Sequence, residues 1–253
     1  MINLLLCGCL GTMGKVIAST VKQISDMQIV AGIDNRTPDE SDFPVYTSFD
    51  DIKENIDVVI DFSNPKLLPQ LLAFISKTKT PSVIATTGFS EEQKAQILAA
   101  SEIVPIFFSA NMSLGVNLLR ELAVIAAKVL GNSFDVEIIE KHHNKKVDAP
   151  SGTALMLADA LASALPYDAR YVYDRHSVTQ KREKEEIGIH SIRGGTIVGE
   201  HEIIYAGEDE IVSIKHIAHS KAIFAKGAVS AARFISAQKS PAIYDMASLV
   251  KSV

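Results

Sequence analysis

Apolar runs separated by segments of helical spacing organise the first half of the chain. Residues 2–8 are apolar without alternation, which is typical of a parallel strand covered on both faces. Similar runs follow at 27–33, 57–62, 82–85 and 104–108. Helical patterns lie between them at 65–77 and 91–100. This alternation of strand and helix predicts a Rossmann-type, doubly wound parallel sheet.

The pattern changes in the second half. A long helix is predicted from Ser113 to near Gly131, then a strand at 134–140 and a helix from Thr153 to near Pro166. Strands without intervening helices follow at 188–193, 197–205 and 210–219, and helical spacing returns at 223–235 and 243–250. Glycine-bearing turns join those strands, so we expect successive ones to be antiparallel. The pattern predicts a second α+β domain with a mixed or antiparallel sheet, helices on one face and the other face open for a subunit interface.

A glycine-rich turn follows the first strand and opens a helix. It reads Gly8-Cys9-Leu10-Gly11-Thr12-Met13-Gly14. Glycines permit a tight turn and close backbone approach to a pyrophosphate, which rests on the helix N-terminus. Asp34 ends the second strand, where a Rossmann acid binds the adenosine ribose hydroxyls. Because the spacing is Gly-x-x-Gly-x-x-Gly, a purely structural turn and an exposed carboxylate remain the alternatives.

Composition narrows the functional class. The net charge is −5, with 47% hydrophobic and 22% charged residues, as in an ordinary soluble globule. This balance argues against a nucleic-acid partner. No apolar run approaches the roughly 20 residues of a membrane span, so we expect a cytoplasmic protein without a membrane partner. Cys7 and Cys9 are too close for an unstrained disulfide and are interpreted as packing residues.

A basic stretch is the strongest candidate for chemistry. Lys141, His142, His143, Lys145 and Lys146 fall within six residues, and Pro150-Ser151-Gly152-Thr153 then opens a helix with Ser151 as its expected N-cap. A helix N-terminus attracts carboxylates or phosphates, so the stretch predicts a site for a small anion that needs a proton. The alternatives are a solvated basic loop and a metal site. A metal site at Glu140, His142 and His143 is disfavoured because adjacent histidines point in different directions and no further ligand has suitable spacing.

The same stretch resembles the signature of the dihydrodipicolinate reductases. Every fixed position is filled in Glu137-Ile138-x-Glu140-x-His142-x-x-x-Lys146-x-Asp148-x-Pro150-Ser151-Gly152-Thr153-Ala154. Two further loops resemble the cofactor loops of that family, namely Ala85-Thr86-Thr87 and Ser109-Ala110-Asn111-Met112. The chain is therefore identified as a member, and the resemblance extends well beyond the central signature.

The resemblance implies a reaction and a set of site residues. A nicotinamide cofactor, NADH or NADPH or both, would reduce dihydrodipicolinate to tetrahydrodipicolinate in lysine and diaminopimelate biosynthesis. His142 and Lys146 match catalytic positions, and His143, Gly152, Thr153 and Thr87 match substrate-binding ones. The cofactor positions are Gly8, Cys9, Leu10, Gly11, Thr12, Met13, Gly14, Asp34, Ala85, Thr86, Thr87, Ser109, Ala110, Asn111 and Met112. No metal is implied.

The resemblance also implies domains and a homotetramer. Residues 1–113 and 220–253 would form the dinucleotide-binding domain, and 114–219 the substrate-binding and oligomerisation domain. One departure concerns the cofactor: family members commonly carry a basic residue at position 12, where this chain has Thr12. Asn35 is uncharged and Asp34 repels a 2′-phosphate, which favours NADH and leaves Arg36 and Lys15 as the nearest cations.

A non-catalytic redox sensor is the alternative function. Such a protein would bind a dinucleotide and report it to a partner. It would keep the glycine turn and Asp34 but would not need the set formed by His142, Lys146 and 151–153. We expect a nicotinamide absorbance assay with enzymatically generated substrate to separate the two functions.

Overall fold

The structure, a computed structural model, describes residues 1–177 and 179–252. Its first sheet has seven parallel strands. Its strands are β1 (Ile2–Cys7), β2 (Met27–Ile33), β3 (Val45–Tyr46), β4 (Val58–Asp61), β5 (Ser82–Ile84), β6 (Ile106–Phe108) and β12 (Ile243–Tyr244). Their spatial order is β12-β6-β5-β4-β1-β2-β3. β1 pairs with both β2 and β4, so the order reverses there, as in a doubly wound sheet.

Helices cover both faces of this sheet. They are α1 (Thr12–Val21), α2 (Leu68–Thr78), α3 (Glu91–Ser101), α6 (Ala222–Ser236) and α7 (Met246–Lys251). Leu4, Leu6 and Ile60 belong to a buried cluster with α1 and α6. Leu5, Val59 and Ile84 point the other way and pack with α2 and α3. Because both faces are buried, the strands are apolar without alternation, and the predicted fold class is confirmed.

One predicted helix begins later than its pattern indicated. The spacing predicted helix over 243–250, but Ile243 and Tyr244 form β12, which pairs in parallel with β6. The helix α7 starts only at Met246, after Asp245, whose side chain accepts the Ser248 N–H as an N-cap. A β-branched and an aromatic residue suit a strand. The available sheet edge therefore overrides the helical spacing.

A second, mixed sheet is formed among the described residues by β7 (Asp135–His142), β8 (Arg170–Val172), β9 (Glu186–Arg193), β10 (Gly199–Ala206) and β11 (Ile211–Ala218). Its order is β11-β10-β7-β9-β8. The predicted antiparallel pairing of β10 with β11 is correct. β9 and β10 are not neighbours, however, because β7 lies between them and pairs in parallel with β9 and antiparallel with β10.

The helix-covered face of this second sheet changes from apolar to polar side chains along β7. Val136, Ile138 and Tyr205 are buried with the helices α4 (Leu114–Leu130) and α5 (Gly152–Ala162). The Tyr205 hydroxyl donates to the Ala123 carbonyl of α4 at 2.6 Å. Two residues beyond Ile138, the same face carries the fully buried Glu140. The polar end of this face is where the predicted catalytic histidine lies.

The chain divides into two units. Unit 1 comprises Met1–Leu114 with Ala222–Val253, and unit 2 comprises Gly115–Lys221. Among the described residues, no helix has the length and apolar character needed to cross a bilayer.

Candidate active site

The glycine turn of unit 1 is held by close backbone packing. Gly8 has a φ of +76°, and a Cβ at this position would lie 2.4 Å from the Phe62 carbonyl oxygen. A Cβ at Gly14 would lie 2.2 Å from the Gly8 carbonyl oxygen. Only glycine fits at these two positions, so the start of α1 can approach the end of β1 closely. Gly11 is the N-cap of α1 and has no side chain, which leaves the helix start accessible to an anion.

Asp34 fastens the glycine turn to the end of β2. Its Oδ2 atom accepts the Leu10 N–H at 2.9 Å, and its Oδ1 atom accepts the Asn35 N–H at 2.9 Å. A cleft of about 830 Å³ opens beside it. Gly8, Leu10, Gly11 and Asp34 line this cleft, so the structure brings these predicted cofactor residues together. The volume, the acceptor and the open helix start fit a dinucleotide.

The cleft also contains residues that the sequence analysis did not assign to it. Phe62, Ser63, Asn64 and Lys66 follow β4 and line the same cleft. Arg36 lines it as well. Lys66 is therefore a second cation beside the cofactor cleft, whereas sequence proximity had indicated Arg36 and Lys15.

Several predicted cofactor residues have their side chains turned into the protein. The Cys9 side chain is buried and that of Met13 is half-buried against the core of unit 1; Gly14, which has no side chain, is buried as well. Burial, and secondarily the charge of Asp34, raises the pKa of the Cys9 thiol to about 11, so the group is a neutral packing residue at neutral pH. Thr12 is exposed. In this turn, the buried residues can serve a cofactor only through their backbone.

The loops after β4, β5 and β6 are braced by short polar contacts. The Ser63 hydroxyl donates to the buried Asp61 carboxylate at 2.5 Å, and the Ser63 N–H donates to the Thr86 hydroxyl at 2.8 Å. Thr86 and Ala85 are buried, whereas Thr87 is exposed. In the next loop, which contains Ser109, Ala110, Asn111 and Met112, the Ser109 hydroxyl donates to the Asn111 carbonyl at 2.9 Å. Thr86 therefore acts as a brace, and Thr87 is the better placed to meet a ligand.

In unit 2, His142 is held by a buried carboxylate. Its Nδ1 atom lies 2.6 Å from Glu140 Oε2. Arg193 donates to both carboxylate oxygens, at 2.8 and 2.6 Å, and the Ser151 N–H donates to Oε1 at 3.1 Å. Burial favours a raised pKa of Glu140, but hydrogen bonds from Arg193 and then His142 outweigh it and lower that pKa to about 2.

An ionised Glu140 determines the tautomer of His142. A carboxylate only accepts hydrogen bonds, so Nδ1 of His142 carries the proton in this contact. Nε2 is then the nitrogen that can exchange a proton with a ligand. Gly199 leaves space on that side, because a Cβ there would lie 3.1 Å from Nε2. The arrangement suits proton transfer, and Glu140, one of the three ligands that a metal site would need, is already bound by Arg193 and Ser151.

His201 is a further polar neighbour that sequence reasoning missed. Its ring lies 5.3 Å from that of His142, edge to face, and its Nε2 atom lies 2.9 Å from the Ser151 hydroxyl. Burial, and secondarily the neighbouring His142, lowers the pKa of His201 to about 4. His201 is therefore neutral near pH 7. The predicted N-cap is also correct, because the Ser151 hydroxyl accepts the Ala154 N–H at 3.1 Å.

The loop between β7 and α5 holds the other predicted substrate residues. Lys146 Nζ pairs with Asp148 Oδ1 at 2.8 Å, and the Lys146 N–H donates to the His143 carbonyl. His143 Nδ1 is buried and has no hydrogen-bond partner among the described residues. Gly152 is exposed, and among the described residues no atom beyond its chain neighbours and its own helix backbone lies within 4 Å of where its Cβ would be. Thr153 follows it in the first turn of α5.

Comparisons with known proteins identify the family. Residues 2–112 match the family model described as dihydrodipicolinate reductase, N-terminus, and residues 115–250 match that for the C-terminus. The chain belongs to the dihydrodipicolinate reductase family. The predicted family, and with it an oxidoreductase with a dinucleotide-binding N-terminal domain, is confirmed.

Relatives of this family align over nearly the whole chain. A 4-hydroxy-tetrahydrodipicolinate reductase of Caldanaerobacter subterraneus subsp. tengcongensis is 52% identical over 251 residues, 99% of each chain. One of Clostridium tetani is 45% identical over 252 residues, 100% of this chain and 98% of the relative. A solved structure of dipicolinate-bound dihydrodipicolinate reductase from Paenisporosarcina sp. TG-14 superposes with a TM-score of 0.81, 25% identity and 97% coverage of both chains.

Proposed function

We propose that this chain reduces dihydrodipicolinate, the cyclic imine dicarboxylate formed from 4-hydroxy-tetrahydrodipicolinate, to tetrahydrodipicolinate in lysine and diaminopimelate biosynthesis. The observation that supports this most directly is the Arg193–Glu140–His142 arrangement beside the start of α5. A proton-carrying group and an anion-attracting helix start suit a dicarboxylate whose reduction consumes a proton.

The residues of unit 1 would bind the cofactor. Its pyrophosphate would rest on the start of α1, where the glycine turn leaves room, and its ribose hydroxyls would donate to Asp34. A bound nicotinamide dinucleotide supplies the hydride. NADH is expected to serve at least as well as NADPH, because Asp34 repels a 2′-phosphate.

The residues of unit 2 would bind the substrate and supply the proton. Lys146 and the backbone of Gly152 and Thr153 are proposed to bind the carboxylates, with His143 as a further contact. Thr87, which belongs to unit 1, is also proposed as a substrate-binding residue. Lys146 is already charge-paired with Asp148, so a substrate carboxylate would share or replace that partner. His142 would deliver the proton that the enamine carbon or nitrogen needs after hydride addition.

The assay follows absorbance at the nicotinamide band with substrate generated enzymatically in the cuvette. We expect substrate-dependent oxidation of NADH by the wild type. A protein that binds the dinucleotide without turnover would contradict the reductase and support the non-catalytic redox sensor instead.

A cytoplasmic homotetramer is proposed on the basis of the family resemblance. The second sheet supports assembly, because its uncovered face carries the exposed Ile192, Ile211 and Ile217 among charged residues. Light scattering is expected to give a smaller species for Ile217→Lys than for the wild type. Leu98→Lys, at an exposed leucine of α3, is the control and should leave the mass unchanged. An unchanged mass for both variants would contradict assembly through this face.

A further inference from the structure

We propose that Arg193 is a positioning residue for the reduction: its guanidinium fixes the carboxylate that orients His142 and anchors the loop that carries Lys146. This inference rests on the proposed function, in which His142 delivers the proton and Lys146 binds a carboxylate.

The contacts of Arg193 reach both parts of the site. Nη1 and Nη2 donate to the two oxygens of Glu140, at 2.8 and 2.6 Å. Nη2 also donates to the Asp148 carbonyl at 2.7 Å. The Asp148 carboxylate in turn accepts from Lys146 Nζ at 2.8 Å. The Arg193 guanidinium therefore contacts Glu140, the partner of His142. It also contacts the backbone of Asp148, whose side chain is the partner of Lys146.

The shape of arginine matters for this role. A guanidinium is planar and presents its N–H groups as a fork that matches a carboxylate in two parallel hydrogen bonds. The same group still has donors for the Asp148 and Ile192 carbonyls. A lysine ammonium is a point charge and cannot hold both oxygens of Glu140 in one plane while reaching Asp148. We therefore expect Arg193→Lys to keep the charge but not the alignment.

Loss of Arg193 would act on His142 through Glu140. Glu140 is fully buried, so its charge depends on the donors around it. Without the guanidinium, the carboxylate would be stabilised only in part and could rotate or take a proton. Either change removes the constraint that keeps the proton on Nδ1 of His142 and leaves Nε2 available to the ligand.

Arg182, in the segment that precedes β9, provides a matched control because it also contacts β7. Its Nε atom donates to Glu137 Oε1 at 3.1 Å, and its Nη2 atom donates to the Val136 carbonyl at 3.1 Å. Arg182 thus combines a carboxylate and a carbonyl of β7, as Arg193 combines Glu140 with Asp148. Glu137 and Glu140 are three residues apart on β7, so they point to opposite faces of the sheet, and Glu137 lies on the uncovered one.

The experiment compares Arg193→Ala, Arg193→Lys and Arg182→Ala by kcat, by rescue with guanidinium ion at non-denaturing concentration, and by ¹⁵N NMR of the His142 ring. We expect Arg193→Ala to lower kcat by about 10²-fold, as for a misaligned catalytic group. Guanidinium should restore part of that loss. The spectrum should change from the Nδ1-protonated tautomer to a mixture. Arg193→Lys should remain slow, and Arg182→Ala should keep the wild-type kcat, spectrum and indifference to guanidinium.

The outcomes are distinguishable. A wild-type tautomer and near-normal kcat in Arg193→Ala would overturn the proposal, as would an equal loss in Arg182→Ala. If Arg193→Ala does not fold, Arg193→Lys carries the test, and a normal tautomer and kcat there would also overturn it. A wild type without reductase activity would defeat the proposed function, whereas the NMR comparison would still decide whether Arg193 sets the state of His142.

Discussion

Nδ1 of His142 lies 2.6 Å from Oε2 of Glu140, a carboxylate without exposed surface. Since this contact directs Nε2 of His142 to the ligand, His142→Gln is expected to lower kcat by about 10²- to 10⁴-fold, the usual worth of general acid catalysis. Steady-state assays with NADH check this. His190→Gln is the matched control. His190 Nε2 lies 2.8 Å from Glu137 Oε2, and Glu137 is on β7 like Glu140 but on the uncovered face. Near-normal turnover of His142→Gln would remove His142 from proton transfer.

His201 is expected to make stability depend on pH in the mildly acidic range. Its pKa is lowered from 6.5 to about 4, mainly by burial, so between these pH values the unfolded chain binds a proton that the folded chain does not. The contribution is fully present above about pH 6.5 and is lost as pH falls towards 4; it amounts to about 3 kcal/mol.

Denaturant unfolding at several pH values tests this expectation. His201→Gln should flatten the free energy of unfolding between about pH 6.5 and 4 relative to the wild type. His176→Gln, at an exposed histidine, should keep the wild-type slope. Parallel curves for wild type and His201→Gln would show that another group causes the loss.

The start of α5 and Lys146 are expected to bind the substrate carboxylates. Lys146→Ala should weaken binding of pyridine-2,6-dicarboxylate, a planar mimic, by roughly ten- to a hundredfold, because a hydrogen bond to a charged group contributes about 1.5–3 kcal/mol. Thr153→Val should weaken it as well. Lys145→Ala, at the exposed neighbouring lysine, is the control and should bind normally. Unchanged calorimetric affinity in Lys146→Ala and Thr153→Val would place the anion elsewhere.

Cofactor choice is expected to depend on a balance between Asp34 and two cations. Asp34→Asn keeps an acceptor for the Leu10 N–H but removes the charge, so kcat/KM should fall with NADH and be spared or improved with NADPH. Lys66→Ala and Arg36→Ala should affect NADPH alone. A tenfold wild-type preference for NADPH, about 1.4 kcal/mol, would mean that the cations outweigh Asp34.

Local sequence patterns were sufficient wherever neighbours in the chain are neighbours in the structure. The run β1, the glycine turn and α1 follow one another directly, and their steric requirements are visible in the residue types themselves. The capping role of Ser151 involves Ala154, three residues away. Predicting the place of Asp34 required one further assumption, that β2 lies beside β1. The Rossmann pattern provides this assumption.

The polar network of unit 2 could not be predicted in this way. Glu140 and Arg193 are 53 residues apart, and they meet because β7 and β9 pair in parallel with Lys141 opposite Ile192. His201 lies opposite Glu140 across the antiparallel pair of β7 and β10. Composition and spacing contain no record of this register. Short edge strands such as β3 and β8 were missed because two or three residues carry too little pattern.

The chain builds unit 1 from both of its ends, and this has a consequence for synthesis. A nascent chain that has left the ribosome as far as Lys221 contains all of unit 2, yet it lacks α6, whose Ala225, Ala228 and Ile235 are buried in the core of unit 1. Until those residues emerge, the layer that includes Leu4 and Ile60 is covered on that side by α1 alone. The unit that is translated first is therefore the last to close, and its exposed apolar sheet is the part of the newborn chain most in need of protection from aggregation.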